Sequence, residues 1–145
     1  MQSAQGGLLT IKAVNGKLTR DLETFGKQDP YIKITYMGTP YKTRVHENGG
    51  KNPVWNQEFT FRIGSPSDDI LIECKDDDVV GAKMIGRSTI KASAFVINNG
   101  VREYFTLTDN YGKSVGQILF ETKYVPDNKN ALGGMIPTAV PVMVT

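Results

Sequence analysis

The chain has 145 residues, 39% of them apolar and 22% charged, a composition typical of one globular domain and not of a disordered or fibrous chain. Its net charge of +2 is a modest excess that gives little support to nucleic-acid binding, and no stretch approaches the roughly 18 apolar residues of a membrane span. Residues 12–62 hold nine Lys/Arg against five Asp/Glu, and residues 63–145 hold eight against ten. We therefore expect an electrically two-sided molecule.

Short runs of alternating apolar and polar residues recur along the chain, separated by Gly, Pro, Asn and Asp. The second and third runs flank a turn from Gly38 to Pro40, which indicates a hairpin. Eight runs of ordinary strand length predict an all-β, two-sheet antiparallel sandwich. The predicted strands cover residues 8–14, 31–36, 41–46, 56–63, 69–75, 84–90, 101–107 and 116–124.

The segments outside the strands carry less information. Ser93 is expected to cap one helical turn that is closed by Asn99 and Gly100. Residues 1–6 are expected to form an N-terminal extension. Residues 126–145 contain three prolines and two adjacent glycines, so we expect a flexible or docked tail. The single cysteine, Cys74, lies in an alternating apolar run, which predicts a buried thiol and a reducing, cytoplasmic setting.

Three consecutive aspartates, Asp76 to Asp78, directly follow a predicted buried strand. Adjacent carboxylates repel one another, so either they are solvated in a turn, which Asp favours, or a cation lies between them. Asp76 and Asp78 are two residues apart and could face one ion from a loop. Asp29, at a loop-to-strand junction, could meet them across the end of the sandwich.

Three motifs occur in order and at the right spacing for a known family. They are FGKQDPYIKI (residues 25–34), KNPVWNQEFTF (51–61) and DDDVVGAKMIG (76–86), and together they resemble a C2 domain over residues 7–125. Few residues precede the first strand and a full strand closes the domain, so the chain resembles the phospholipase-C-like, type II topology of small stand-alone C2 proteins from plants and protists. The resemblance implies an eight-stranded antiparallel β-sandwich, the C2 fold.

The resemblance also implies a Ca²⁺ site, and Ca²⁺ takes six to eight oxygen ligands, mostly carboxylate and carbonyl. One Cys and one His exclude a Cys/His zinc site. A remaining family aspartate falls on Lys83, which removes one oxygen and adds a positive charge, so we expect one Ca²⁺ site at most. The expected ligands are Asp29, Asp76 and Asp78, with Glu23 at the earlier loop position and Asp21 as its nearby substitute. Asp29 could instead cap its loop, and Glu23 could be a surface acid paired with Lys27.

Apolar residues at the loop tips are the first of two membrane-contacting features that the resemblance implies. Val79, Val80 and Phe25 lie where C2 tip residues can enter the lipid headgroup region, with the alternative that they pack onto the loop base.

A basic sheet face is the second feature. Lys42, Arg44 and His46 alternate on one predicted strand, with Lys33 on its hairpin partner, where the family has a polybasic cluster for anionic headgroups. The alternative is a solvated sheet face.

The expected function is calcium-dependent, peripheral binding of a cytoplasmic C2 domain to anionic phospholipid membranes. The alternative is a calcium-independent protein-interaction or phosphoinositide-binding module in which Lys83 replaces the charge of the ion. No Ser/His/Asp arrangement and no phosphate-cradling glycine loop is evident, so neither an enzyme nor a small-molecule substrate is expected.

Overall fold

The computed structural model describes residues 6–23 and 26–127. Residues 1–5 of the predicted extension, residues 128–145 of the predicted tail, and Phe25 lie outside the described residues. The described residues form eight antiparallel strands, so the predicted fold class is confirmed. The strands are β1 (Gly7–Leu18), β2 (Pro30–Tyr36), β3 (Thr39–Lys42), β4 (Val54–Ile63), β5 (Asp69–Asp76), β6 (Lys83–Lys91), β7 (Arg102–Thr108) and β8 (Ser114–Pro126), with one helical turn α1 (Ser93–Val96).

The strands follow the order β3-β2-β5-β6-β7-β8-β1-β4. β6 and β7 share a single register pair, Arg87 with Thr108, whereas β1 and β8 pair along their whole length from Gly7 to Leu18. The row of eight hydrogen-bonded strands therefore bends at the β6–β7 junction and forms two sheets that face each other. Sheet A is β3-β2-β5-β6 and sheet B is β7-β8-β1-β4. A full strand, β8, closes the domain beside β1, as the type II arrangement requires.

The core lies between the two sheets because alternate residues of each strand turn inward. Cys74 is fully buried, as predicted, and burial raises the pKa of its thiol. Tyr41 stacks on Phe61 with ring centroids 4.8 Å apart, which closes the gap between the sheets beside β3 and β4. Fully buried side chains come from both sheets and include Ile32, Ile34, Ile70, Ile72 and Ile85 of sheet A and Leu9, Ile11, Ile63, Ile118 and Phe120 of sheet B.

Strand β3 is shorter than predicted. It ends at Lys42, because the hydroxyl of Thr43 accepts the N–H of Ile32 at 2.9 Å and replaces a strand carbonyl there. The chain still follows β2, with the N–H of His46 donating to the carbonyl of Pro30 at 2.9 Å. The prediction of a regular strand over residues 41–46 is therefore wrong beyond Lys42.

The connector between β6 and β7 begins without a side-chain cap. Ser93 is the first helical residue rather than the cap, and no side chain bonds to the free N–H groups. Instead the N–H of Ser93 donates to the carbonyl of Pro66 at 2.8 Å, so the predicted role of Ser93 is wrong. The helical turn itself ends at Val96, with Ile97 as its C-cap, and Gly100 closes the 3-10 turn that follows (Ile97–Asn99), where its N–H donates to the carbonyl of Ile97 at 2.9 Å.

Four loops meet at one end of the sandwich. All neighbouring strands are antiparallel, so β1, β3, β5 and β7 all run toward this end, which we call the loop pole. Its loops are residues 19–29 (loop 1), 43–53 (loop 2), 77–82 (loop 3) and 109–113 (loop 4). No helix among residues 6–23 and 26–127 is long and apolar enough to cross a membrane.

Candidate calcium and membrane site

Loops 1 and 2 are held together by the fully buried side chain of Gln28. Its amide N–H group donates to the carbonyl of Arg20 at 2.8 Å and to that of Gly50 at 2.9 Å. Its carbonyl oxygen accepts the N–H of Leu22 at 3.0 Å. The alternation of apolar residues in the sequence does not indicate that Gln28 is buried, because its burial depends on hydrogen-bond partners in loops 1 and 2.

Asp21 bonds to its own loop. Its Oδ1 accepts the N–H of Glu23 at 2.9 Å and that of Gln28 at 3.1 Å. These bonds form a turn of the kind that aspartate stabilises. The carboxyl group of Asp21 therefore orders the backbone of loop 1. The other two predicted ligands from this loop, Glu23 and Asp29, belong to the same ordered segment or directly follow it.

Asp29 joins three loops. Its N–H donates to Oδ1 of Asp76 at 2.7 Å, and its carbonyl accepts the N–H of Asp77 at 3.0 Å. Its own Oδ1 accepts the N–H of Asn48 in loop 2 at 2.7 Å. Asp29 thus caps a loop, as the structural alternative predicts, and lies beside Asp76, as the calcium hypothesis requires.

Asp76 is fully buried and its Oδ2 has no hydrogen-bond partner. Burial, and next a side-chain hydrogen bond with the carboxyl group of Glu23, raise the pKa of Asp76 to about 6, and the N–H of Asp29 lowers it by a smaller amount. An unpartnered buried carboxylate oxygen is costly. A bound cation at this position would satisfy it.

Lys83 lies between loops 1 and 3, in the gap that has Glu23 on one side and Asp78 on the other and that we call the acidic mouth. Its Nζ is 2.9 Å from Oδ2 of Asp78 and 3.5 Å from Oε2 of Glu23. The ammonium group lowers the pKa of Asp78, and Asp78 in turn raises the pKa of Lys83. Glu23 is therefore paired with Lys83, and the predicted alternative pairing with Lys27 is not what the structure has.

The donor set fits a calcium ion only in part. Among residues 6–23 and 26–127, no three Asp, Glu, His or Cys side chains are arranged to hold one metal ion. The partnerless oxygen of Asp76 favours a cation, but the ammonium group of Lys83 lies between Asp78 and Glu23. A calcium ion held by Asp76 and Asp78 therefore requires that Lys83 withdraw from Asp78.

The basic residues of sheet A form a row across its outward face. Lys42 lies directly opposite Lys33, Lys33 opposite Glu73, and Glu73 opposite Arg87. The row carries three cations and one acid, so it keeps a net positive charge. The register brings Lys33 and Lys42 together as predicted and adds Arg87, which sequence analysis missed because its strand is distant in the chain.

Arg44 and His46 leave this row because β3 ends before them. Arg44 Nη2 donates to the carbonyl of Trp55 at 2.8 Å, and His46 Nδ1 accepts the N–H of Val54 at 2.9 Å. Both side chains thus tie loop 2 to β4. The prediction that they share a regular strand with Lys42 is wrong, and a headgroup role for them stays a prediction.

The tip of loop 3 is open to solvent. Val79 and Val80 are 101% and 87% exposed, so the alternative in which they pack onto the loop base is not what the structure has. The N–H of Gly81 donates to the carbonyl of Asp78 at 3.0 Å and turns the chain back toward β6. The loop pole therefore presents two adjacent apolar side chains above an acidic mouth.

Comparisons with known proteins agree with this fold. The C2 domain family model matches residues 7–107, and the chain therefore belongs to the C2 domain family. It is 28% identical over 131 residues to 16 kDa phloem protein 1 of Arabidopsis thaliana, covering 81% of this chain and 84% of that protein. It is 29% identical over 107 residues to Synaptotagmin-5 of Arabidopsis thaliana, covering 72% of this chain but 19% of that protein.

A solved C2 domain of plant Extended Synaptotagmin 1 has a similar fold. It superposes with a TM-score of 0.73 at 24% identity, covering 88% of this chain and 99% of that one. The predicted membership of the C2 family, with its type II strand arrangement, is thus confirmed by sequence and by fold.

Proposed function

We propose that this C2 domain, residues 7–125, binds anionic phospholipid membranes peripherally at its loop pole in the cytoplasm. One Ca²⁺ ion, held by Asp29, Asp76 and Asp78, strengthens this binding. The function is one of binding and not of catalysis. Its expected partner is an anionic phospholipid surface, with a protein partner as a further candidate.

The buried, partnerless Oδ2 of Asp76 carries the calcium part of the proposal. An acidic mouth repels an anionic membrane, and the apolar tips Val79 and Val80 cannot approach lipid until that charge is offset. Calcium supplies the positive charge that the mouth lacks and accepts lipid phosphate or carboxylate oxygens as additional ligands. The positive row on sheet A adds attraction of about 1 kcal/mol for each cation near the surface.

Sedimentation with phosphatidylserine-containing liposomes tests the proposal. We expect more wild-type protein to sediment in calcium than in chelator, and Asp76→Asn to lose this increment. Asp69→Asn is the matched control, because Asp69 lies on the same strand at the opposite pole and is exposed. Equal sedimentation of the wild type in calcium and in chelator would sink the calcium step.

The position of Lys83 favours a second candidate function. Its ammonium group already bridges Asp78 and Glu23, so it can take the place of the ion in a calcium-independent module that binds phosphoinositide or protein. A calorimetric titration with Ca²⁺ separates the two candidates. Heat that disappears in Asp76→Asn supports the first, and absence of heat together with liposome binding in chelator supports the second.

A further inference from the structure

We propose that loop 4 is a further membrane-contacting loop and that Tyr111 enters the lipid headgroup region beside Val79 and Val80. The proposal rests on the peripheral membrane binding proposed above. It adds an anchor that the sequence motifs did not indicate, on a loop with none of the acidic ligand candidates. The occupant is the interfacial layer of an anionic bilayer.

The strand register places Tyr111 at the height of the mouth. Arg87 on β6 is paired with Thr108 on β7, and the two strands are antiparallel. Met84 lies three residues from that pair toward the loop pole, about 10 Å at the rise of a strand, and Tyr111 lies in the turn that follows Thr108. Met84 and Tyr111 line the same cavity of about 140 Å³, so Tyr111 lies close to Met84, the residue that follows Lys83 on β6.

A hydrogen-bonded turn presents Tyr111 outward. Oδ1 of Asp109 accepts the N–H of Tyr111 at 2.8 Å and that of Lys113 at 3.0 Å. The N–H of Asp109 donates to the carbonyl of Lys113 at 2.9 Å, and the N–H of Gly112 to the carbonyl of Asp109 at 3.1 Å. Tyr111 is 94% exposed, so its ring contributes little to the core and is free to meet another surface.

The charges around loop 4 suit an anionic surface. The backbone N–H groups of Lys113 and Tyr111, and then the charge of Arg20, lower the pKa of the Asp109 carboxyl group. The guanidinium group of Arg20 is itself fixed to the carbonyl of Ile85. The acid of the loop is therefore offset by Arg20 and Lys113. Tyrosine has an apolar ring and a polar tip, and is enriched where membrane meets water.

Liposome binding by Tyr111→Ala tests the inference. We expect affinity for phosphatidylserine liposomes in calcium to fall roughly fivefold and Tyr111→Trp to retain it. Met37→Ala is the matched control, because Met37 is also exposed, at 75%, but lies in the β2–β3 turn at the opposite pole. Its affinity should not change.

A fluorescence measurement reports the position of the side chain directly. Tyr111→Cys can be labelled with an environment-sensitive dye, since the only native thiol, Cys74, is fully buried. We expect its emission to shift to the blue on addition of the liposomes, and labelled Met37→Cys to show no shift.

The outcomes separate the inference from the function on which it rests. If a Val79→Ser/Val80→Ser variant loses binding while Tyr111→Ala keeps wild-type affinity and the dye does not shift, loop 4 stays out of the membrane and the inference is wrong. If the wild type does not bind anionic liposomes at all, the proposed function fails and the inference fails with it. Loss in both variants, with a blue shift, supports the inference.

Discussion

The surroundings of Asp76 are unfavourable for an ionised carboxylate when no cation is bound, and a bound cation would make them favourable. Its side chain is fully buried, its Oδ2 has no hydrogen-bond partner, and the adjacent carboxyl group of Glu23 raises its pKa through a side-chain hydrogen bond and then through its charge. Such a residue lowers the free energy of unfolding when it is ionised. The proposed calcium ion would offset this cost.

Substitution of Asp76 by asparagine is expected to stabilise the protein in chelator at pH 7. The pKa of Asp76 is raised from 3.8 to about 6 in the folded protein, so between about pH 4 and pH 6 the folded protein holds a proton that the unfolded chain has released. The free energy of unfolding therefore falls as pH rises through this window. Asp76→Asn avoids this loss and should be more stable at pH 7 by on the order of 1–2 kcal/mol.

Thermal unfolding at pH 4 and pH 7 in chelator measures this difference. The free energy of unfolding of Asp76→Asn should exceed that of the wild type at pH 7. The difference should be small at pH 4, where the wild-type carboxyl group is protonated in the folded state. Asp69→Asn makes the same chemical change at an exposed position of the same strand and is the control. A variant that is less stable than the wild type at pH 7 would contradict the interpretation.

In the proposed calcium site, the ammonium group of Lys83 opposes binding of the ion. Lys83→Asp removes the ammonium group that now pairs with Asp78 and Glu23 and adds a carboxylate, the ligand that Ca²⁺ prefers. We expect calcium affinity, measured by calorimetry, to rise at least about tenfold and stability in chelator to fall, since like charges are then unpaired. Lys83→Gln should give a smaller rise, and an unchanged affinity in both variants would show that calcium does not bind here.

At the scale of elements, sequence alternation predicted every strand but not every boundary. Strand β1 was predicted to end at Val14 and continues to Leu18. A bulge between Ala13 and Asn15 shifts the register, so that buried positions change from odd to even residues and a simple alternation breaks. The end of β3 was missed for a different reason, because the hydroxyl of Thr43 takes a backbone partner that no local pattern reveals.

The site was predictable to a similar degree. Motifs indicated that Asp29, Asp76 and Asp78 lie at one pole, and the loops bring them there. The ion pair of Lys83 with Glu23 and the bonds of Gln28 depend on contacts between loops that are far apart in the sequence. Short-range spacing carries no information about such contacts.

Gly86 allows the two sheets to approach where they join. A Cβ atom at Gly86 would overlap Cγ2 of Val115 and lie 3.1 Å from Cβ of Leu107. Gly86→Ala should therefore lower the free energy of unfolding by about 1–3 kcal/mol through overpacking. Chemical denaturation measures the change. Gly38→Ala is a partial control, since a Cβ there meets nothing within 4 Å although the backbone has a positive φ of 82°.

On the scale of the whole molecule, the charge asymmetry of the sequence does not map onto two faces. Sheet A takes β2 and β3 from the basic half of the chain and β5 and β6 from the more acidic half, and sheet B is mixed in the same way. Attraction to an anionic surface then depends on local rows of charge. The row that includes Lys33 and Lys42 is the one that faces outward from sheet A beside the loop pole.

Neutralising this row should weaken membrane binding without unfolding the domain. Lys33→Gln/Lys42→Gln is expected to lower affinity for phosphatidylserine liposomes by roughly five- to thirtyfold, at about 1 kcal/mol for each lysine. The dependence of affinity on salt should become weaker. Lys12→Gln/Lys123→Gln makes the same change of charge on the outward face of sheet B, and equal losses in both variants would indicate a non-specific charge effect.

Strands β1 and β8 also determine how the domain can be tethered. Gly7, at the start of β1, is paired with Pro126, at the end of β8, at the pole away from the loops. The 12 residues of β1 span about 40 Å at the rise of a strand. Polypeptide joined before Gly7 or after Pro126 therefore starts from a single attachment point, about 40 Å from the loop pole. Fluorescent or affinity fusions on either side would share that point and leave the loop pole unobstructed.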